Sequence, residues 1–364
     1  MEAYKVTVDD LFLPTIFVIF ISSLSSVCVV NYYSKPSETT IKWKARRVCL
    51  YLLSAISFIL QLKVSWMLDF LHQIELAAEP LLWQRLLGDF ILAHKLTLDT
   101  TENYWITSQL LLFTLSFVAF VNMYSKKMEL RFHQILGYLV LGLTGSYGGV
   151  LALFLVHFYN AGSISPLVAK LTTGQFFAQG ISTILGCAAV VFLYDASVPQ
   201  VKVTLLPFFL TTFLLPFALF PFQEKNSKAG ATTALLYFLF SLSVFMMLHH
   251  FFMTYMVALE WSNFKTIILV GFGYPYQYAV SVDLICCIVI SSVFVQMELH
   301  ELNKLQLGFE YPYLNTILKV LLLFPCIVVV TFIISPGAML LFFLAYREIT
   351  TVLPSLGSSS IGTL

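Results

Sequence analysis

Successive long apolar runs, separated by short polar connections, constrain this chain more than any motif in it. They lie at 11–33, 48–72, 103–124, 132–158, 175–196, 203–222, 231–256, 279–299 and 316–345. A helix needs about 20 apolar residues to cross a hydrocarbon core of roughly 30 Å, and each run meets that length. Lipid offers peptide groups no hydrogen-bond partners, so the spans must satisfy their own backbone as helices. The period-2 alternation of a membrane barrel is absent. The expected fold is therefore all-α, a polytopic transmembrane helix bundle of eight or nine spans. The count turns on the last run. It holds Pro325 and Pro336 and reads either as one kinked helix or as a helix followed by a re-entrant piece.

Composition bounds the rest. The chain has 364 residues, 59% hydrophobic and 11% charged, with mean hydropathy +0.86. No stretch is long and polar enough to form a separate soluble domain. Residues 1–346 read as a single membrane-embedded helical domain, and 347–364, rich in Ser and Gly, as a flexible C-terminal tail. A net charge of +1 gives no basis for a nucleic-acid partner; the lipid bilayer is the first partner. The first run is longer than a signal-peptide core and follows Glu2, Asp9 and Asp10, so it reads as a span. Lys35, Lys42, Lys44, Arg46 and Arg47 in the first connection, with Lys126, Lys127 and Arg131 in the third, predict that both face the cytosol. The N-terminus is then outside or lumenal. The segment 80–96 has an amphipathic pattern, suited to a helix in the lumenal interface or to a loop helix packed on the bundle.

Motifs for phosphate binding, zinc hydrolysis and serine hydrolysis are missing, as is an Asp-rich diphosphate site. The six cysteines include no C-x-x-C and read as small apolar packing residues. His249 and His250 are adjacent, so they point to different helix faces, and no third ligand follows at metal spacing. No metal and no cofactor are expected. What remains are ionisable groups inside apolar runs. A carboxylate there costs on the order of 3 kcal/mol, so Asp283 needs a partner, a cavity or a proton. With nine spans, His249, His250 and Asp283 fall in the cytosolic third of the bilayer, and Asp195 lies near that level. The four form a candidate catalytic cluster; the simpler alternative is an Asp283 that hydrogen-bonds neighbouring helices. A lumenal set comprises Lys63, Asp69, Asp99 and Glu102, in which Lys63 is expected to form a structural ion pair with Asp69 or Glu102. Aromatics are abundant, with 34 Phe and 18 Tyr, and the segments 208–222 and 237–255 are dense with rings. They suit core and lipid-facing packing, or a cavity whose ring faces stabilise a carbocation.

Three segments carry a resemblance. Ser165-Pro166-Leu167, then Leu206-Pro207 with Leu215-Pro216, then Val280-Ser281-Val282-Asp283 are similar, in this order, to segments of a fungal family of multispanning membrane proteins. That family includes the terpene cyclases of ascochlorin and ascofuranone biosynthesis. The similarity spans about 145–295, and no Trp precedes Asp283 where the family pattern has one. The resemblance implies a metal-independent cyclisation. A neutral carboxylic acid protonates an epoxide or alkene of a prenyl chain, and internal double bonds capture the cation. On that basis Asp283 is the acid, His249 and His250 orient it, and an apolar small-molecule substrate enters from the bilayer of the endoplasmic reticulum or another endomembrane. A competing reading is a transporter of an apolar or protonatable solute, with Asp283 and the His pair as a proton relay. Against it, the internal repeat of many transporters is not visible. A third is a non-catalytic membrane protein.

Overall fold

The computed structural model describes residues 20–28, 41–75, 98, 100–125, 128, 130–160, 173–195, 230–259, 275–301 and 323–360. Every regular element among them is a helix. In chain order these are α1 (20–28), α2 (Ile41–Glu75), α3 (Thr101–Ser125), α4 (Phe132–Thr144), α5 (Tyr147–Asn160), α6 (Thr173–Asp195), α7 (Gly230–Ala258), α8 (Pro275–Glu301), α9 (Phe324–Ile334) and α10 (Pro336–Ser360). The runs at 11–33 and 203–222 lie largely or wholly outside the described residues, as do the amphipathic segment 80–96 and Asp99. So do the side chains of Lys63 and Asp69.

α3 is the pillar of the bundle. Thr100 opens it, its hydroxyl oxygen accepting the Asn103 N–H at 3.2 Å, a standard side-chain cap for an orphan donor. Apolar residues then occur on every side, which suits a helix that other helices enclose. α5, α6, α7, α8 and α10 all pack on it. Its Phe117, Phe120 and Tyr124 meet Phe154, Phe158 and Phe294, most of them edge-on, with Phe120–Phe154 centroids 4.9 Å apart. Edge-to-face pairs of this kind add to the burial of large rings.

The outer helices are apolar on the wrong side for water. Val48, Leu52, Ile56 and Ile59 form an exposed stripe on α2; Phe177, Ile181 and Ile184 do so on α6, and Leu248, Phe252 and Tyr255 on α7. These residues recur at helical spacing, so each helix turns one continuous apolar face outward. α3, α6, α7 and α8 each contain a stretch long and apolar enough to cross a membrane, and α9 with α10 gives a fifth if the bent pair is one span. This is a membrane-associated all-helical bundle with four to five candidate spans among the described residues.

The run at 132–158 is not one span. Tyr138 lies against Phe154, with ring centroids 5.2 Å apart, and its hydroxyl is 3.4 Å from His157 Nδ1. In a continuous helix residues 138 and 157 would stand about 28 Å apart. α4 and α5 therefore fold back on each other about Gly145 and Ser146. Each is about 20 Å long, too short to cross. The hairpin also returns to its own starting side, because Phe158 near its end meets Tyr124 near the end of α3 at 5.0 Å. Apolar composition is the same for a crossing helix and for two half-helices, which is why hydropathy merged them.

The last run breaks too. α9 and α10 meet at 111° about Ser335, whose φ is +92°. Pro336 removes the N–H that would have continued α9. Past the break α10 runs to Ser360, and Arg347 and Glu348, assigned to a flexible tail on sequence grounds, are buried in the bundle.

Candidate functional site

Among the described residues, several buried polar clusters interrupt the apolar core, and three of them hold the sequence candidates or buried charges. The first is built on Asp283, which is buried. Its carboxylate accepts from Ser146 Oγ at 2.5 Å, from the Tyr147 N–H at 3.0 Å and from the Gly148 N–H at 3.2 Å. Ser146 Oγ is also 2.7 Å from Ser57 Oγ of α2, and Ser54 Oγ donates to the Gly149 carbonyl at 2.9 Å. The backbone donors are the orphan groups at the start of α5, left open by the hairpin turn. A carboxylate at a helix N-terminus also meets the positive end of the helix dipole. Asp283 is thus an N-cap supplied by another helix, and it fastens the hairpin tip to α8. The approach needs glycine: a Cβ on Gly148 would stand 2.7 Å from Cys286 Cβ.

The second cluster was not anticipated. Arg347 Nε is 3.0 Å from Glu298 Oε2, with both side chains almost completely enclosed. Tyr159 donates to Glu298 at 2.7 Å and Tyr124 to Glu348 at 2.5 Å. The Arg347 guanidinium stands 4.5 Å from the Phe158 ring centroid. One residue or more from each of α3, α5, α8 and α10 is tied there. In the sequence Glu298 and Arg347 are faint signals, because each merely ends an apolar run and no motif joins them.

The third cluster surrounds the histidine pair. His249 Nε2 is 3.5 Å from the Tyr104 hydroxyl, which donates in turn to the Val190 carbonyl of α6. His250 faces the other way, its ring 5.7 Å from Trp105, whose indole N–H donates to Thr254 at 2.9 Å. Nδ1 of each histidine is buried without a hydrogen-bond partner. Tyr194 meets Tyr104 at 5.1 Å, so Asp195, the next residue, ends α6 beside this cluster; its side chain lies outside the described residues. Asp283 has a separate set of partners, on α2 and at the hairpin tip. The histidines stand at the end of the bundle where α3 begins, opposite Tyr124 and Arg347. That is the end of α3 away from the connection 126–131 that follows it. The sequence expectation placed them at the other end because it counted the hairpin as a crossing.

Between α6 and α7 lies a groove of about 560 Å³, walled by Cys187, Phe192, Phe238, Leu242 and Phe245 with Thr183 at its edge. The third cluster adjoins its wall: Phe245 is one turn from His249, their rings 6.4 Å apart, and Val191 in the wall follows Val190. Among the described residues no group of three His, Cys, Asp or Glu side chains is placed to hold a metal ion. Of the three segments that carried the family resemblance, only 275–287, the start of α8, is described. No family model, no curated protein and no solved structure matches this chain.

Proposed function

We propose that this chain is a membrane-embedded terpene cyclase that takes a prenylated substrate from the bilayer and cyclises it without a metal ion, in an endomembrane such as the endoplasmic reticulum. The observation that carries the reading is the apolar groove between α6 and α7, whose wall residue Phe245 lies 6.4 Å, ring to ring, from His249. Its volume falls in the range of small-molecule pockets, and its walls suit an isoprenoid chain, with three Phe rings to face a cation. The adjoining cluster supplies acid–base chemistry in a fixed tautomer. Tyr104 donates to Val190, so His249 Nε2–H faces the Tyr104 oxygen and Nδ1 is the buried nitrogen without a partner, which in this reading meets the substrate. As an imidazolium, His249 passes its Nδ1 proton to an epoxide oxygen or alkene carbon. The C–O or π bond opens, an internal double bond attacks the cation, and neutral His249 takes the final proton. The sequence is an isomerisation with no redox change. In this reading Asp283 holds the hairpin tip to α8 through its three hydrogen bonds.

The test is production of the full chain in a yeast host, incubation of its membranes with prenylated phenols carrying a terminal epoxide, and product analysis. Cyclised product that falls by about 10²-fold or more in His249→Ala, with folded protein matched, is the expected result. Full activity in that variant, or no turnover across the substrate panel, overturns the assignment. A transport reading rests on a different observation, the two helix breaks, and solute uptake into proteoliposomes would support it.

A further inference from the structure

The break between α9 and α10 is a second place where buried polar groups converge, and the groove residues take no part in it. A helix that starts inside the bundle leaves its first N–H groups without partners. Pro336 has none to offer. Met339 N–H returns to the Ser335 carbonyl at 3.0 Å, and the Ser335 N–H donates to the Thr331 carbonyl. Gly337 and Ala338 carry the orphan donors of α10. The Ser335 hydroxyl, in the position that normally caps them, is fully buried and has no partner.

A second residue points to the same spot. Gln109 of α3 is 1% exposed, and neither its amide oxygen nor its nitrogen has a partner. Its neighbours along the helix fix where it faces. Trp105, one turn before, meets Phe332 in the last turn of α9, with centroids 6.1 Å apart. Phe113 and Ser116, one and two turns after, press on Gly337, where a Cβ would stand 2.9 Å from Ser116 Oγ. Residues at i and i+4 share a helix face, so Gln109 is bracketed by the end of α9 and the start of α10. His250 completes the group. Its imidazole bonds the Phe332 backbone, an orphan carbonyl of α9, which leaves Nδ1 as an unpartnered acceptor. Among the described residues, the titratable groups near His250 are His249 on its own helix and Tyr104 of α3 beyond it, and α9 meets it through the Phe332 backbone.

We propose that the α9–α10 break binds a small carboxylic acid, its two oxygens held by the Gly337 and Ala338 N–H groups, Ser335 and Gln109, and its proton passed to His250. The acid O–H bond breaks and the Nδ1–H bond forms, so the bound pair is a carboxylate and an imidazolium with no net charge. Uncompensated charge is costly in an apolar interior, and the arrangement avoids it. A helix N-terminus holding a carboxylate is a recurrent use of broken helices in membranes.

Calorimetry on the full chain in lipid nanodiscs, titrated with acetate in two buffers of different ionisation enthalpy, tests this. Saturable binding with proton uptake is expected. Ser335→Gly removes the hydroxyl while suiting the positive φ, so the fold is kept; affinity should fall at least about tenfold. Gln109→Leu should do the same, and His250→Gln should abolish proton uptake. Four results each overturn the proposal: no binding by the wild-type chain, acetamide binding as tightly as acetate, chloride displacing acetate at equal concentration, or wild-type affinity in folded Ser335→Gly.

Discussion

Asp283 is buried and accepts hydrogen bonds from Ser146 and from the Tyr147 and Gly148 N–H groups. An acid in an apolar run signals function because burial is unfavourable, yet that cost is offset when two backbone donors and a hydroxyl converge on it. Asp283→Asn keeps the shape but turns an N–H₂ toward donors, so the hairpin tip loses hydrogen bonds and the charge at the α5 N-terminus. A loss of about 1–3 kcal/mol is expected, read as a lower melting temperature in detergent, with activity per folded molecule retained. Unchanged melting with lost turnover would return Asp283 to proton transfer. Arg347 makes the complementary case. Arg347→Met removes the 3.0 Å ion-pair partner of buried Glu298 and should cost about 3–5 kcal/mol, while the double variant with Glu298→Met should recover much of it. A thermal-shift double-mutant cycle measures that coupling, and additive losses would mean that the pair acts through packing alone. For Asp283 a hydrogen-bonding role was one of the two sequence readings, while the role of Arg347 was not legible from residue type. The sequence marks which residues are charged inside apolar runs, and the partners come from helices far along the chain, as Ser146 does for Asp283.

At the level of elements, hydropathy located apolar segments well and their ends poorly. The run at 103–124 became α3 nearly as read, since a long helix without interruption leaves no choice. The run at 132–158 became a hairpin, and its cue is the Gly145-Ser146 pair, too small a feature to outweigh the apolar residues around it. Pro325 and Pro336 did announce trouble in the last run, and Pro336 sits at the break itself. The hairpin's fit is testable at glycines with opposite surroundings. A Cβ added at Gly148 would stand 2.7 Å from Cys286, whereas one added at Gly180 in α6 would have its nearest neighbour 3.9 Å away. Gly148→Val should therefore destabilise the fold by about 1–3 kcal/mol by forcing α5 off α8. Gly180→Ala should be neutral or stabilise by up to about 1 kcal/mol through helix propensity. Chemical denaturation in mixed micelles compares the two; equal tolerance at both sites would place α5 further from α8 than the contacts indicate.

For the whole molecule, the hairpin changes which end of the bundle faces which side. A chain that enters and leaves on one face adds no crossing, and every later segment shifts relative to a count that treats 132–158 as a span. The helix contacts agree on the directions. α7 runs against α3, since Met246 meets Ser116 while Thr254 meets Trp105, and α10 runs with α3, since Gly337 meets Phe113 while Glu348 meets Tyr124. The histidines consequently belong to the end where α3 starts, and the Arg347–Glu298 cluster to the end where α3 and α5 both finish. Single cysteines in a background lacking the six native ones report this directly. Arg131→Cys, before α4, and Ala161→Cys, after α5, should react with an impermeant maleimide from the same side of sealed vesicles, and Leu259→Cys, after α7, from the opposite side. If Arg131→Cys and Ala161→Cys label from opposite sides, α4 and α5 cross the bilayer together. The histidine pair would then lie at the cytosolic end, and the proposed groove would draw its substrate's polar head from the other leaflet.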